Sequence, residues 1–205
     1  MTGRLHDVWR QARVFARGVR YSRLVLGDRQ NDAIRSELEA VYRATNRFLR
    51  SLGVEYWLVA GTLLGYHREG GLIVGDRDVD FGAHEKEYQR IWQARGNLPP
   101  DFRMYDTSRK HYGPKLYVVR RSWEADIYFY QDASGLLQSY VKSDDLGEMA
   151  PFRREFVYPL RPATFLGEPT TIPHDAEAYL VHTYGYIGRA GVRDPKTGYW
   201  APKRS

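Results

Sequence analysis

The chain has no cysteine. That excludes disulfide cross-links, thiolate nucleophiles and cysteine-ligated zinc, and it leaves the redox compartment undetermined. Long apolar runs are also missing: the longest mostly apolar stretch, YWLVAGTLLGY at 56–66, contains two glycines and is too short to span a bilayer. Arginines are scattered where a secretory leader would keep an uninterrupted apolar centre, so no signal peptide is expected. His67, His84, His111, His174 and His182 lack the H-x-x-x-H spacing of a metal site and read as surface or packing residues, with only His67 near a glycine-rich segment. There is no repeat, low-complexity segment or linker.

A broad basic surface is absent too. The formal charge is +6, but residues 1–30 hold seven arginines against Asp7 and Asp28, a local +5 that leaves +1 for the rest. A nucleic-acid binder spreads cations over the face that meets phosphate, so no nucleic-acid partner is expected. Residues 4–26 read as a basic amphipathic helix, with Leu5, Val8, Trp9, Ala12, Phe15, Ala16 and Val19 on one side and Arg10, Arg13, Arg17 and Arg20 on the other. Two readings stay open: a helix packed on the domain with a solvated arginine face, or contact through residues 1–26 with an anionic membrane, worth on the order of 1 kcal/mol per nearby cation. The expected location is cytoplasmic, with peripheral attachment to the inner membrane face under the second reading.

What the chain does have is enough apolar material for one core: 205 residues, 42% hydrophobic and 14% aromatic. The expected division is a basic helix over 1–30 and a single domain over 31–205. In that domain Ile34, Leu38, Val41, Tyr42, Thr45, Phe48, Leu49 and Leu52 form a helical stripe that Gly53 stops. VEYWLVA (54–60) reads as a buried strand, GTLLGYHRE as a turn into a short helix ended by Gly70 and Gly71, and 72–81 as strand again. HEKEYQRIWQARG (84–96) reads as helix; 114–121, 123–131 and 136–142 read as strands; DAEAYLVHTYG reads as a late helix. The order suggests α+β or mixed α/β.

The chemistry concentrates in GTLLGYHREGGLIVGDRDVDFG, 61–82. On a strand, alternate residues share a face, so Asp76, Asp78 and Asp80 are expected together while Val79 and Phe81 enter a core. Carboxylates at intervals of roughly 7 Å repel one another unless a cation neutralises them. A divalent ion, Mg²⁺ or Mn²⁺, would do so; pairing with Arg77 or a lysine on an exposed strand is the alternative. WEADIYFY puts Asp126 on the polar face of a second strand, as a third carboxylate. Gly61 and Thr62, ahead of a helix, offer backbone N–H groups to phosphate. Arg68 and Lys115 supply cations suited to phosphate oxygens or to the surface alone. Carboxylates on neighbouring strands beside such a turn suit metal-assisted phosphoryl or nucleotidyl transfer.

The run 61–82 resembles the signature of the LicD and fukutin-related family, and the likeness continues through Lys115, ADIYFY at 125–130, YPLRPATFLGEPTTIPHDAEAYLVHTYG at 158–185 and GYWAPK at 198–203. The resemblance implies an α+β, nucleotidyltransferase-like mixed sheet with flanking helices behind an N-terminal helical pair. It implies transfer of phosphocholine or a phospho-alditol from a CDP-activated donor to a hydroxyl of a glycan or lipid-linked glycan, as in modification of a cell envelope. By motif position it makes Asp78 and Asp80 the metal-binding pair, Asp126 the third carboxylate, both metal ligand and general base, Asp76 a helping ligand, and Gly61, Thr62 and Gly65 the phosphate turn. Two departures stand out: Arg77 occupies a position where the family often has a further acid, and the cysteine-bearing zinc element of fukutin-related protein has no counterpart here. Transfer of a nucleoside monophosphate from an NTP to a small molecule, protein or RNA end is the enzymatic alternative, and a non-catalytic membrane- or partner-binding module is the other.

Overall fold

The stripe from Ile34 to Leu52 founds the core. In the computed structural model, which describes residues 28–111, 113–140 and 150–203, helix α1 runs Asp28–Ser51. It buries Ile34, Leu38, Val41, Tyr42, Thr45, Phe48 and Leu49, each large apolar side chain contributing about 1.5–3 kcal/mol. Gly53, at φ +62°, turns the chain into β1, Tyr56–Leu58. Helix α2, Ala60–Glu69, follows and is closed by Gly70 in the left-handed region. The basic helix expected over 4–26 lies outside the described residues.

After β2, Asp78–His84, the sequence predicts one helix over 84–96. The structure breaks it: His84 ends the strand and its Nδ1 accepts from the Lys86 N–H, so a 3₁₀ turn (Glu85–Glu87) comes first, then α3 (Tyr88–Gln93) and a second 3₁₀ turn (Ala94–Asn97). Next come β3 (Arg103–Asp106), α4 (Ser108–His111), β4 (Lys115–Arg120), β5 (Trp123–Ala133) and β6 (Leu136–Ser139). The strand predicted over 136–142 thus stops at Ser139; residues 141–149 lie outside the described set. Strand β7 (Phe152–Arg153), α5 (Arg154–Val157), the hairpin β8 (Arg161–Phe165) and β9 (Glu168–Ile172), α6 (Ala176–Tyr184), and the hairpin β10 (Gly191–Arg193) and β11 (Trp200–Pro202) complete the chain. Among the described residues, no helix is long and apolar enough to cross a membrane.

The main sheet is mixed, as expected for the α+β class, with strand order β1-β2-β5-β4-β3, β6 extending from β5 and β7 from β6. Strands β2 and β5 are parallel and the other pairs antiparallel. Alternation divides the sheet cleanly. Val79, Phe81, Ala83, Leu116, Val118, Ala125, Ile127 and Phe129 are all fully buried on the face that meets α1, where Tyr42 stacks on Phe81 with centroids 5.8 Å apart. The opposite face carries Asp78, Asp80, Glu124, Asp126, Tyr128 and Lys115 in register.

Asp76 does not belong to that face, contrary to the strand predicted over 72–81. Gly75, at φ +98°, bends the chain and the Asp76 N–H donates to the Ile73 carbonyl at 3.1 Å, so Asp76 sits in a turn ahead of the ladder. Only Asp78 and Asp80 alternate on β2.

Close approach explains one glycine within the strand. Trp57 faces Gly82 across the β1–β2 pair, and a Cβ on Gly82 would lie 2.7 Å from the Trp57 ring and 2.8 Å from Val59 Cγ1. Gly82→Ala is therefore expected to destabilise the protein by about 1–3 kcal/mol through overpacking. Gly96→Ala, where a Cβ meets nothing within 4 Å, should shift stability by no more than about 0.5 kcal/mol. Urea denaturation of the two variants checks both values.

Candidate active site

Two local facts bring the acids together. Period-two alternation puts Asp78 and Asp80 on one side of β2 and Asp126 on one side of β5. Parallel pairing then sets Asp80 opposite Asp126, and Asp78 opposite Glu124. Asp80 and Asp126 are 8% and 7% exposed, an unusual depth for two like charges on adjacent strands. The backbone is held as firmly: the Asp80 N–H donates to Thr62 Oγ1 at 2.8 Å and the Val59 N–H donates to the Asp80 carbonyl at 3.3 Å. These bonds tie the start of α2 to the acidic strand.

Burial, first of all, pushes the Asp80 carboxyl well above the usual carboxylate range; the charges of Asp78, Asp126 and Asp76 add to it, and Lys115 opposes it. Burial also raises Asp76 to about 6, against a backbone hydrogen bond from Ile73. Asp126 is organised asymmetrically. Its Oδ2 receives Lys115 Nζ at 3.0 Å and the Tyr128 hydroxyl at 3.2 Å. Its Oδ1 is buried and has no hydrogen-bond partner.

Helix α2 begins at Ala60, one residue earlier than the glycine turn predicted at Gly61 and Thr62. Both residues therefore lie in its first turn, whose N-cap residue, Val59, makes no side-chain cap bond. Ala60 takes φ +48° at this junction, a left-handed conformation that costs a non-glycine residue roughly 1–2 kcal/mol. The Asp76 carboxylate lies beside that turn, 3.4 Å from where a Gly61 Cβ would stand, and its Oδ2 is buried without a partner. An anion is thus already placed near the positive end of the helix.

The remaining predicted site residues scatter. Thr62 is buried with its hydroxyl turned to the Asp80 backbone. Gly65 lies one turn further along, where a Cβ would come 2.5 Å from the Gly71 carbonyl, so its smallness serves helix–loop packing. Arg68 donates to the carbonyls of Ile187 and Gly188 at 2.5 and 2.7 Å and fastens the C-terminal segment to α2. His67 is exposed in the last turn of the helix. Lys115 reaches the acidic cluster and is 3% exposed. The structure thus gathers Asp76, Asp78, Asp80, Asp126, Gly61, Thr62 and Lys115, and leaves Gly65 and Arg68 outside the group.

Two residues escaped sequence reasoning. Tyr128 bonds Asp126 directly, and Glu124 lies in register beside Asp78. The alternation of WEADIYFY puts both on the face of Asp126, but sequence offers no means of telling which neighbours they meet.

Among the described residues no three His, Cys, Asp or Glu side chains are arranged as a ready metal cage. Magnesium is commonly held by one or two carboxylates together with substrate phosphates, not by an all-protein cage. The orphaned oxygens of Asp76 and Asp126, and the cost of charge on Asp80, fit a cation bound in that way.

Comparison with known proteins agrees with the motif. The sequence pattern described as "LicD/FKTN/FKRP, nucleotidyltransferase domain" matches residues 53–175. Ribitol 5-phosphate transferase FKRP of Mus musculus is 27% identical over 143 residues, 67% of this chain and 29% of that protein. Ribitol-5-phosphate transferase FKTN of Mus musculus is 34% identical over 55 residues, 27% of this chain and 12% of the relative. The chain spans under a third of the length of these curated relatives. Among solved structures, the lincosamide antibiotic adenylyltransferase LnuA aligns at 14% identity and TM-score 0.45 over 72% of this chain and 87% of that one.

The buried acids make metal-free stability depend on pH. Burial holds the Asp76 carboxyl at about 6 in the folded protein, above its ordinary 3.8, so the native state holds the proton more tightly. Its contribution is unfavourable above pH 6 and is relieved as pH falls from about 6 towards 4. Asp76→Asn should raise stability at pH 7.5 by roughly 1–2 kcal/mol after allowance for solvent screening, and should leave a shallower rise between pH 7.5 and 5. Urea unfolding at the two pH values, in chelator, measures both effects.

Proposed function

The chain belongs to the LicD/FKTN/FKRP nucleotidyltransferase-domain family, and on that premise we propose that it is a transferase that moves a phospho-alditol or phosphocholine group from a CDP-activated donor to a glycan hydroxyl. The observation that carries this reading is the pairing of Asp80 with Asp126 on adjacent parallel strands, beside the uncapped first turn of α2. The names of the relatives, ribitol-phosphate transferases, favour an alditol phosphate as the group moved.

In the proposed reaction an acceptor hydroxyl, on a glycan or lipid-linked glycan, attacks the donor phosphorus nearest the head group. The bond from that phosphorus to the bridging oxygen breaks, CMP leaves, and the hydroxyl proton passes to Asp126. Asp78, Asp80 and Asp126, with Asp76 alongside, would hold magnesium or manganese, which would neutralise charge on the diphosphate. The first turn of α2, at Gly61 and Thr62, would offer backbone N–H groups to the donor phosphates. Thr62 keeps that turn and Asp80 at a fixed separation through its hydrogen bond to the Asp80 N–H.

The test is CMP release from CDP-ribitol, CDP-glycerol and CDP-choline with glycan acceptors and divalent metal. Release from at least one donor is the expected result, and none from any of them would overturn the reading. Pyrophosphate release from an NTP would move the chemistry to nucleotidyl transfer. Asp80→Asn should lower turnover on the order of 10³-fold. The same change should raise the thermal midpoint of metal-free protein, because the buried charge beside Asp78 and Asp126 is removed. A purely structural Asp80 would instead lose stability.

A further inference from the structure

We propose that Tyr128 is a positioning residue for Asp126, and that Lys115 is the fixed internal counter-ion of that carboxylate instead of a ligand of the donor diphosphate. The role given to Asp126 rests on the transferase reading above; the clamp itself is drawn from contacts within the chain.

Tyr128 follows Asp126 by two residues on β5 and therefore shares its face. Lys115 opens β4 and pairs in register with Tyr128. Sheet register, not loop conformation, thus fixes all three residues. The contacts close a triangle: Lys115 Nζ lies 3.0 Å from Asp126 Oδ2, the Tyr128 hydroxyl donates to the same oxygen at 3.2 Å, and Nζ stands 3.5 Å over the centroid of the Tyr128 ring. The lysine charge is satisfied by a carboxylate and an aromatic face at once.

The arrangement selects one oxygen of Asp126. Oδ2 is committed to two donors, and rotating the carboxylate would break both bonds. Oδ1, buried and unpartnered, is then the atom offered to an acceptor hydroxyl or a cation. Lys115 has little freedom to serve a second ligand: its side chain is 4% exposed, and Asp126 and Tyr128 hold its ammonium group.

Tyr128→Phe keeps the ring under Lys115 and removes only the hydroxyl. The expected result is kcat lower by about 10–100-fold, as is common when a supporting hydrogen bond to a site residue is lost, with the donor KM within about 2-fold of wild type. Wild-type kcat in this variant would overturn the positioning role. For Lys115 the decisive readout is Mn²⁺ binding in the presence of CDP, whose diphosphate completes the coordination, followed by EPR, which needs no turnover. Lys115→Met should tighten Mn²⁺ by about 10-fold, since a competing cation leaves Asp126. An unchanged Mn²⁺ affinity, an absence of Mn²⁺ binding in wild type and variant alike, or a donor KM raised more than about 10-fold would overturn the counter-ion role. Should Lys115→Met fail to fold, adding Asp126→Asn is expected to restore folding by removing the stranded charge, and failure to restore it would overturn the assignment. If wild-type protein transfers nothing from any CDP donor, the transferase reading fails, while the Mn²⁺ titration still decides the clamp.

Discussion

The parallel pairing of β2 with β5 is the constraint on which the site depends. Each strand alone carries acids on one face and a hydrophobic set on the other. Pairing them with Asp80 opposite Asp126 stacks the hydrophobic sets, Val79 and Phe81 with Ala125 and Ile127, into one layer beneath α1. The same register forces the carboxylates into a common patch. A slip of one residue would send the acids into the core and the apolar set to the opposite face. The core therefore holds the like charges in place: burial of the apolar layer outweighs their repulsion, and the acidic face is left with an unmet need for positive charge.

That need is met unevenly. Lys115 and Tyr128 serve Asp126 through one oxygen, while Asp80 gains only partial relief from Lys115 and is pushed towards its neutral form by its surroundings. The first turn of α2, without a side-chain cap and linked to Asp80 through Thr62, lies next to this imbalance. Unpartnered oxygens and raised carboxyl pKa values beside the start of α2 support the proposed binding of a cation there. Stability alone would favour apolar residues or neutral amides at these positions.

Much of this was legible in the sequence, and the exceptions share a cause. The stripe of α1, the strand at 56–58, the short helix ended by Gly70 and the two alternating strands follow from local periodicity, and the structure contains them. The helix expected over 84–96 failed because the Nδ1 of His84 captures the Lys86 N–H and extends the strand end into a 3₁₀ turn. Asp76 was counted on the strand because its spacing matches, but a glycine at positive φ takes it into a turn, and it returns to the acidic cluster from beside α2. Gly65 and Arg68 were assigned to phosphate because they lie close to the motif in sequence. One turn of helix carries Gly65 against the Gly71 carbonyl, and Arg68 spends its donors on carbonyls 119 and 120 residues away.

The amino-acid sequence by itself determined which side chains share a face of each strand, the apolar stripe of α1, the glycines that follow α1 and α2, and the motif that marks the family. These are properties of a few consecutive residues, set by the two- and 3.6-residue periods of the backbone. Tertiary structure alone decided that β2 lies parallel to β5, that Lys115 faces Asp126 instead of solvent, and that Tyr128 completes the group. Those outcomes depend on which distant strands become neighbours and on how deeply their shared face is buried, and burial is what pushes the carboxyls of Asp76 and Asp80 above their ordinary range.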